Sequence, residues 1–147
     1  MKNTNQLIPL GGLLATMAVA AYMVVQLNGQ SPAVAGDYTN AATVQVRDGQ
    51  GQIVLQGQFM PPVEDGGDLE RRAVLAASGV DADAAGEAEV EFAKADPIEQ
   101  EVEFSVTNLP ADATFTFVID GADVATATTD RRGRAEVESN VRMPGRE

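Results

Sequence analysis

From Asn40 onward this chain alternates apolar and polar residues with a period of two. In EAEVEF (Glu87–Phe92), Ala88, Val90 and Phe92 face one way while Glu87, Glu89 and Glu91 face the other. In EVEFSV, Val102, Phe104 and Val106 alternate with Glu101, Glu103 and Ser105. TFTFVI places Phe115, Phe117 and Ile119 on one side, and IVLQGQF places Ile53, Leu55 and Phe59 on one side with Gly57 between. A helix would scatter these residues around its axis. A strand gathers them on one face, so the pattern predicts half-buried strands of antiparallel sheets.

Turn residues separate the strands. Asp48-Gly49-Gln50-Gly51 divides ATVQV from IVLQGQF, and Asp120-Gly121 divides TFTFVI from VATATT. Both suit tight hairpins, because Gly accepts positive φ. DLERRAVLAAS (Asp68–Ser78) has a capping Asp, helix-forming residues and Gly79 as a stop, so it reads locally as a helix. The surrounding strand pattern favours a strand at Leu69–Leu75 instead. The expected fold is all-β: an antiparallel β-sandwich of about 7–8 short strands over residues 41–142, with a short tail at 143–147.

One phrase occurs twice. DAAGEAEVE (Asp83–Glu91) and DRRGRAEVE (Asp130–Glu138) share Asp, Gly, Ala, Glu, Val and Glu at matching places. Asp followed by two free positions and Gly is a type I turn signature. Each copy therefore reads as a hairpin corner, with Gly86 and Gly133 at positive φ or in a tight turn. The recurrence predicts two similar halves, near 43–92 and 101–141.

Residues 1–35 have a different character. Leu7–Leu27 carries no charge, and its 21 residues are long enough for a helix to cross a membrane. Lys2 is the only base before it, which predicts an N-terminus inside and the rest of the chain exported. Ala33 and Ala35 form an Ala-x-Ala site before Gly36, as a signal peptidase requires. Two outcomes stay open: a single-pass anchor through Leu7–Leu27, or secretion after cleavage near Ala35. Both place the domain outside the cytoplasm.

Composition narrows the chemistry. The chain has 22 Asp and Glu against 10 Lys and Arg, a net charge of −12, and all the acids lie from Asp37 onward. Such a surface repels nucleic acid and attracts basic partners. The chain has neither His nor Cys, which removes the Ser-His-Asp arrangement, thiolate catalysis, disulfides and Cys-based zinc sites. A carboxylate-dependent hydrolase survives this exclusion.

LQGQFMPPV (Leu55–Val63), AAGEAEVEF (Ala84–Phe92) and EVEFSVTNLP (Glu101–Pro110) together resemble a CHRD domain. The resemblance implies an exported bacterial β domain without established catalysis. It covers about half of the body, and it departs from the family at Glu64–Asp83, where the family is shorter, and in lacking a His-containing segment.

Three constellations are candidates for chemistry. Asp81, Asp83 and Gly86 fit the first, third and sixth positions of a calcium loop, although Ala85 and Phe92 stand where further ligands belong. The ladders Glu87, Glu89, Glu91 and Glu99, Glu101, Glu103 would face one another across a sheet and offer a surface to cations or a basic partner. Arg131, Arg132 and Arg134, with the pair Arg71-Arg72, would meet an anionic polysaccharide or lipid head group, or else the chain's own carboxylates. Asp120 and Asp123 belong to a hairpin and need no catalytic role. The expected function is a non-enzymatic exported domain that binds an envelope protein or polysaccharide, or plays a structural part there. It needs no cofactor unless calcium occupies Asp81 and Asp83. The alternatives are the extracytoplasmic hydrolase and a calcium-stabilised adhesion domain.

Overall fold

The computed structural model describes residues 35–144 and the two-residue strand Val24–Val25. The rest of the expected membrane or signal segment lies outside the described residues. Among the described residues no helix is long and apolar enough to cross a membrane.

The described residues are all-β and every strand pairing is antiparallel. Eight strands have five residues or more: β2 (Thr43–Arg47), β3 (Ile53–Gln58), β5 (Asp68–Ala77), β6 (Ala85–Ala93), β7 (Glu99–Thr107), β8 (Thr114–Ile119), β9 (Ala122–Thr128) and β10 (Ala135–Arg142). Two are short: β1 (Val24–Val25) pairs with β10, and β4 (Val63–Asp65) pairs with β5. The strands form one sheet in the order β1-β10-β7-β6-β5-β3-β2-β8-β9. The sheet folds back on itself and nearly closes, because β9 also approaches β10.

Phe104 of β7 and Phe117 of β8 show the fold-back directly. Their rings are 4.8 Å apart between centroids, although β6, β5, β3 and β2 separate their strands in the sheet. Around this pair lie Leu55, Leu75, Val90, Val102 and Val46, all buried. The alternation read from the sequence supplies this core, with Val90, Phe92, Val102, Phe104, Val106, Phe115, Phe117 and Ile119 all inward. Asp68–Ala77 is a strand throughout. Its helix-favouring Ala73 and Leu75 are buried. Pairing with β6 on one side and β3 on the other overrides their local preference.

The two halves do not repeat one pairing scheme. In the first half β6 pairs with its predecessor β5, whereas in the second β10 pairs with β7 and leaves the β8–β9 hairpin elsewhere. The repeated phrase also does not make one turn twice. Gly133 has φ +71°, and its N–H donates to the Asp130 carbonyl at 3.0 Å. Asp130 Oδ1 accepts the N–H groups of Arg132 at 2.7 Å and Arg134 at 3.0 Å. The same bonds recur at Asp48-Gly49-Gln50-Gly51, where Gly51 has φ +80° and Asp48 Oδ1 accepts from Gln50 at 2.9 Å and Gln52 at 2.8 Å. The twin of Asp130-x-x-Gly133 is therefore Asp48-x-x-Gly51.

Gly86 lies within β6 instead. The turn before it closes two residues earlier, with the Ala84 N–H on the Asp81 carbonyl at 3.1 Å. Gly86 is required by close approach: a Cβ there would stand 2.7 Å from the Ser105 carbonyl oxygen. Asp120 (φ 49°) and Gly121 (φ 82°) form the expected two-residue turn with positive φ at both positions.

Buried Gln100 ties down the chain ahead of β2. Its Oε1 accepts the Tyr38 N–H at 2.8 Å and its Nε2 donates to the Gly36 carbonyl at 3.2 Å. Met143 is buried at the other end, with its N–H on the Ile98 carbonyl at 2.9 Å.

Candidate functional site

Register builds the site. β5, β6, β7 and β10 lie side by side, and their outward residues line up across the strands. One row runs Glu70, Glu91, Glu101, Asn140; the next runs Arg72, Glu89, Glu103, Glu138; a third runs Val74, Glu87, Ser105, Glu136. These three rows hold eight glutamates and one arginine. Glu89 faces Glu103 and Glu91 faces Glu101, as the alternation implied, whereas Glu87 faces Ser105 and Glu99 lies opposite Arg142. The recruitment of Glu70, Glu136 and Glu138 was not implied by it, although the Glu-x-Glu of the second repeated phrase was its visible signal.

Like charges directly opposite one another on a sheet are unfavourable. Their effect is legible in the acids. Glu101 and Glu103 are pushed above the ordinary Glu value, first by desolvation and then by the carboxylate of Glu138. Glu89 is raised by desolvation and by Glu70, with Arg72 opposing. Arg72 is the local counter-charge. It bonds Glu70 and lies 3.2 Å from Glu89. Arg142 and Glu99 add a longer pair at the margin, 3.5 Å apart.

These shifts fix a pH dependence. A carboxyl whose pKa is raised by folding holds its proton more tightly in the folded form. Stability from Glu89, Glu101 and Glu103 is therefore greatest on the acid side, and it falls as pH rises from the ordinary value of 4.5 through the raised values. Asp130 acts oppositely. Backbone N–H groups of Arg134 and Arg132 hold it below its ordinary 3.8, so its contribution is lost as pH falls through the lowered value. Thermal melting should rise as pH is lowered through the raised values towards 4.5 and drop again in stronger acid. Glu103→Gln should flatten the first limb and raise stability at neutral pH by about 0.5 kcal/mol, a small gain because the face is wet.

Asp81 and Asp83, the expected calcium ligands, stand in the short turn before β6. A calcium loop wraps its ligands around the ion over about twelve residues. Here residues from Ala85 onward are already strand, paired on both sides with β5 and β7. Asp81 and Asp83 remain in the short turn, where the Asp83 carbonyl accepts from Asn108 Nδ2 at 3.1 Å. Among the described residues, the carboxylates of Glu70, Glu89 and Glu91 lie within 4.8 Å of one another, within reach of one ion. Arg72 already contacts Glu70 and Glu89 of this trio.

Arg131, Arg132 and Arg134 are exposed and make no ion pair within 4.0 Å among the described residues. Asp120 is structural: its Oδ1 accepts the N–H groups of Ala42 at 3.0 Å and Thr43 at 2.8 Å. Beside Glu91, Glu99 and Glu101 there is a depression of about 130 Å³. It falls short of the roughly 300 Å³ at which ligand pockets begin. In comparisons with family models, curated proteins and solved structures, the chain finds no match.

Proposed function

We propose that this chain is an exported, non-enzymatic β-sandwich domain that binds a cationic partner surface at the cell envelope. It is either tethered through Leu7–Leu27 or released after Ala35. The observation behind this reading is the register that aligns eight glutamates on one face of four strands. Keeping these charges opposite one another costs stability, and a basic partner would offset that cost. The resemblance to CHRD domains supports the same reading. The carboxylates stand on an open strand face beside a depression of only about 130 Å³, which favours binding over hydrolysis, a reaction that needs a cleft to hold the bond between two carboxyl groups.

The test pairs two variants of the full chain. In one, Glu89, Glu101, Glu103 and Glu138 become Gln. In the other, Asp81, Asp96, Asp112 and Asp123, which lie outside the three glutamate rows, become Asn. Both lose the same net charge. A lysine decapeptide should bind the first about tenfold or more weaker than the unaltered chain, and bind the second nearly as well. Equal loss in both would mean attraction by net charge alone, and the face would have no special role. Export is checked by the intact mass after separating membrane from soluble fractions: full length in the membrane, or a soluble species that starts at Gly36.

Divalent-cation binding is a second reading, favoured by the trio Glu70, Glu89 and Glu91. Because Arg72 neutralises two of these acids, calcium at about 1 mM should raise melting no more than magnesium does. A rise confined to calcium would favour the adhesion-domain alternative.

A further inference from the structure

We propose that Arg71 is the anion-binding residue of a ligand pocket that takes a carboxylate carried on an apolar body. This pocket is separate from the acidic face, so neither its success nor its failure bears on that reading.

Adjacent arginines on a strand point to opposite sides. Arg72 therefore joins the acidic face, while Arg71 turns inward on the side of buried Ala73 and Leu75. There it is half-buried. Its Nε donates to the Thr39 carbonyl at 2.7 Å, and its Nη1 reaches the Ala41 carbonyl at 3.5 Å. Its Nη2 finds no protein acceptor among the described residues. No carboxylate there lies within 4.0 Å of it, in a chain with 22 acids. The carboxylate of nearby Asp120 is taken by the Ala42 and Thr43 amides. A partly desolvated guanidinium held by neutral carbonyls alone lacks the counter-charge that such a group ordinarily has.

A pocket of about 520 Å³ opens beside it, walled by Phe59, Pro61, Pro62, Gln58 and Asn40. The sequence keeps this space open. β3 and β5 pair only at Leu55–Ala77 and Gln56–Ala76. Beyond β3 the Phe59 N–H goes to the Ala42 carbonyl at 2.9 Å and the Met60 N–H to the Arg72 carbonyl at 2.8 Å. Pro61 and Pro62 then have no N–H with which to zip against β5. The chain arches there until β4 resumes the pairing at Val63–Glu70.

The lining selects the ligand. A guanidinium edge matches the two oxygens of a carboxylate. A ring and two prolines suit an apolar body, and a volume of this size fits a small molecule or one terminal residue. The acidic surface disfavours multiply charged anions such as phosphate. Two sources share this chemistry: a free carboxylic acid, and the C-terminal carboxylate of a peptide with an apolar last residue.

The experiment titrates the full chain, ¹⁵N-labelled in neutral detergent, with benzoate, benzamide, and a tripeptide ending in Phe as free acid and as amide. Benzoate should bind with a dissociation constant on the order of 1 mM and shift the Gln58, Phe59 and Arg71 Nε–H signals. Benzamide should be about tenfold weaker or more. Arg71→Gln should remove the difference between the two. A peptide acid tighter than benzoate assigns the site to chain termini, and the reverse order assigns it to free acids. Equal binding of benzoate and benzamide, or no saturable shift at these residues, overturns the proposal. Should Arg71→Gln fail to fold, the comparison on the unaltered chain decides alone.

Discussion

Gly133→Ala is expected to destabilise the domain by about 3 kcal/mol, against about 1 to 2 kcal/mol for Gly51→Ala. The two glycines occupy the same turn. Both have positive φ (+71° and +80°), and both follow an Asp whose Oδ1 takes two backbone N–H groups. A side chain at either position carries the strain of a left-handed backbone. Their surroundings differ. A Cβ at Gly51 meets nothing within 4 Å, while one at Gly133 drives into the carbonyl oxygen of Leu109. That carbonyl has little room to retreat, since Leu109 is buried and its own N–H is bonded to the Gly133 carbonyl at 3.1 Å. The excess loss at Gly133 therefore measures how firmly the β7–β8 loop is clamped to the turn before β10. Denaturant unfolding of both variants beside the parent checks it. Equal losses would show that the loop simply moves aside and that strain is the whole effect.

This pair of turns shows where the sequence is legible and where it is not. Asp-x-x-Gly predicts a turn, but it does not say whether the chain will close two residues early. At Asp83 it does, and the Gly of the phrase then serves β6 by lacking a side chain. Sequence likeness paired Asp83 with Asp130, while hydrogen bonding pairs Asp48 with Asp130. The strands themselves were legible because alternation is local: Val102, Phe104 and Val106 declare a buried face whichever strand lies beside them. Partnership is not local. Alternation set the Glu87–Glu91 ladder against the Glu99–Glu103 ladder, but nothing near Glu103 announces that Glu138 will flank it on the other side, because that follows from β10 pairing with β7. The Arg71-Arg72 pair illustrates the same limit. As letters they are one basic patch. On a strand they are an inward guanidinium between carbonyls and an outward one between glutamates.

Phe104→Ala is expected to cost about 3 to 5 kcal/mol, a large share of the roughly 5 to 15 kcal/mol that holds a domain of this size together. Phe104 is fully buried, and its ring meets Phe117 at 4.8 Å with 34° between the planes. Hydrogen bonding cannot join these two strands, since four others lie between them in the sheet. Packing across the interior is what brings them together. Truncation removes the ring's burial and also opens a cavity, because β7 is held by β6 on one side and β10 on the other and cannot collapse inward. Phe117→Ala should cost a similar amount. The double variant should lose less than the sum by about 0.5 to 1.5 kcal/mol, since the ring–ring contact is lost only once. Strict additivity would mean that the rings do not touch in solution. A loss near 1 kcal/mol for Phe104→Ala would be more serious, because a residue that mattered so little would not be sealed between two faces of one sheet. The acidic face depends on the same packing. Its glutamates stay aligned against their mutual repulsion only while the inward side chains of β6, β7 and β10 hold those strands in register, so loosening the Phe104 site should also weaken binding of the lysine decapeptide before the domain unfolds.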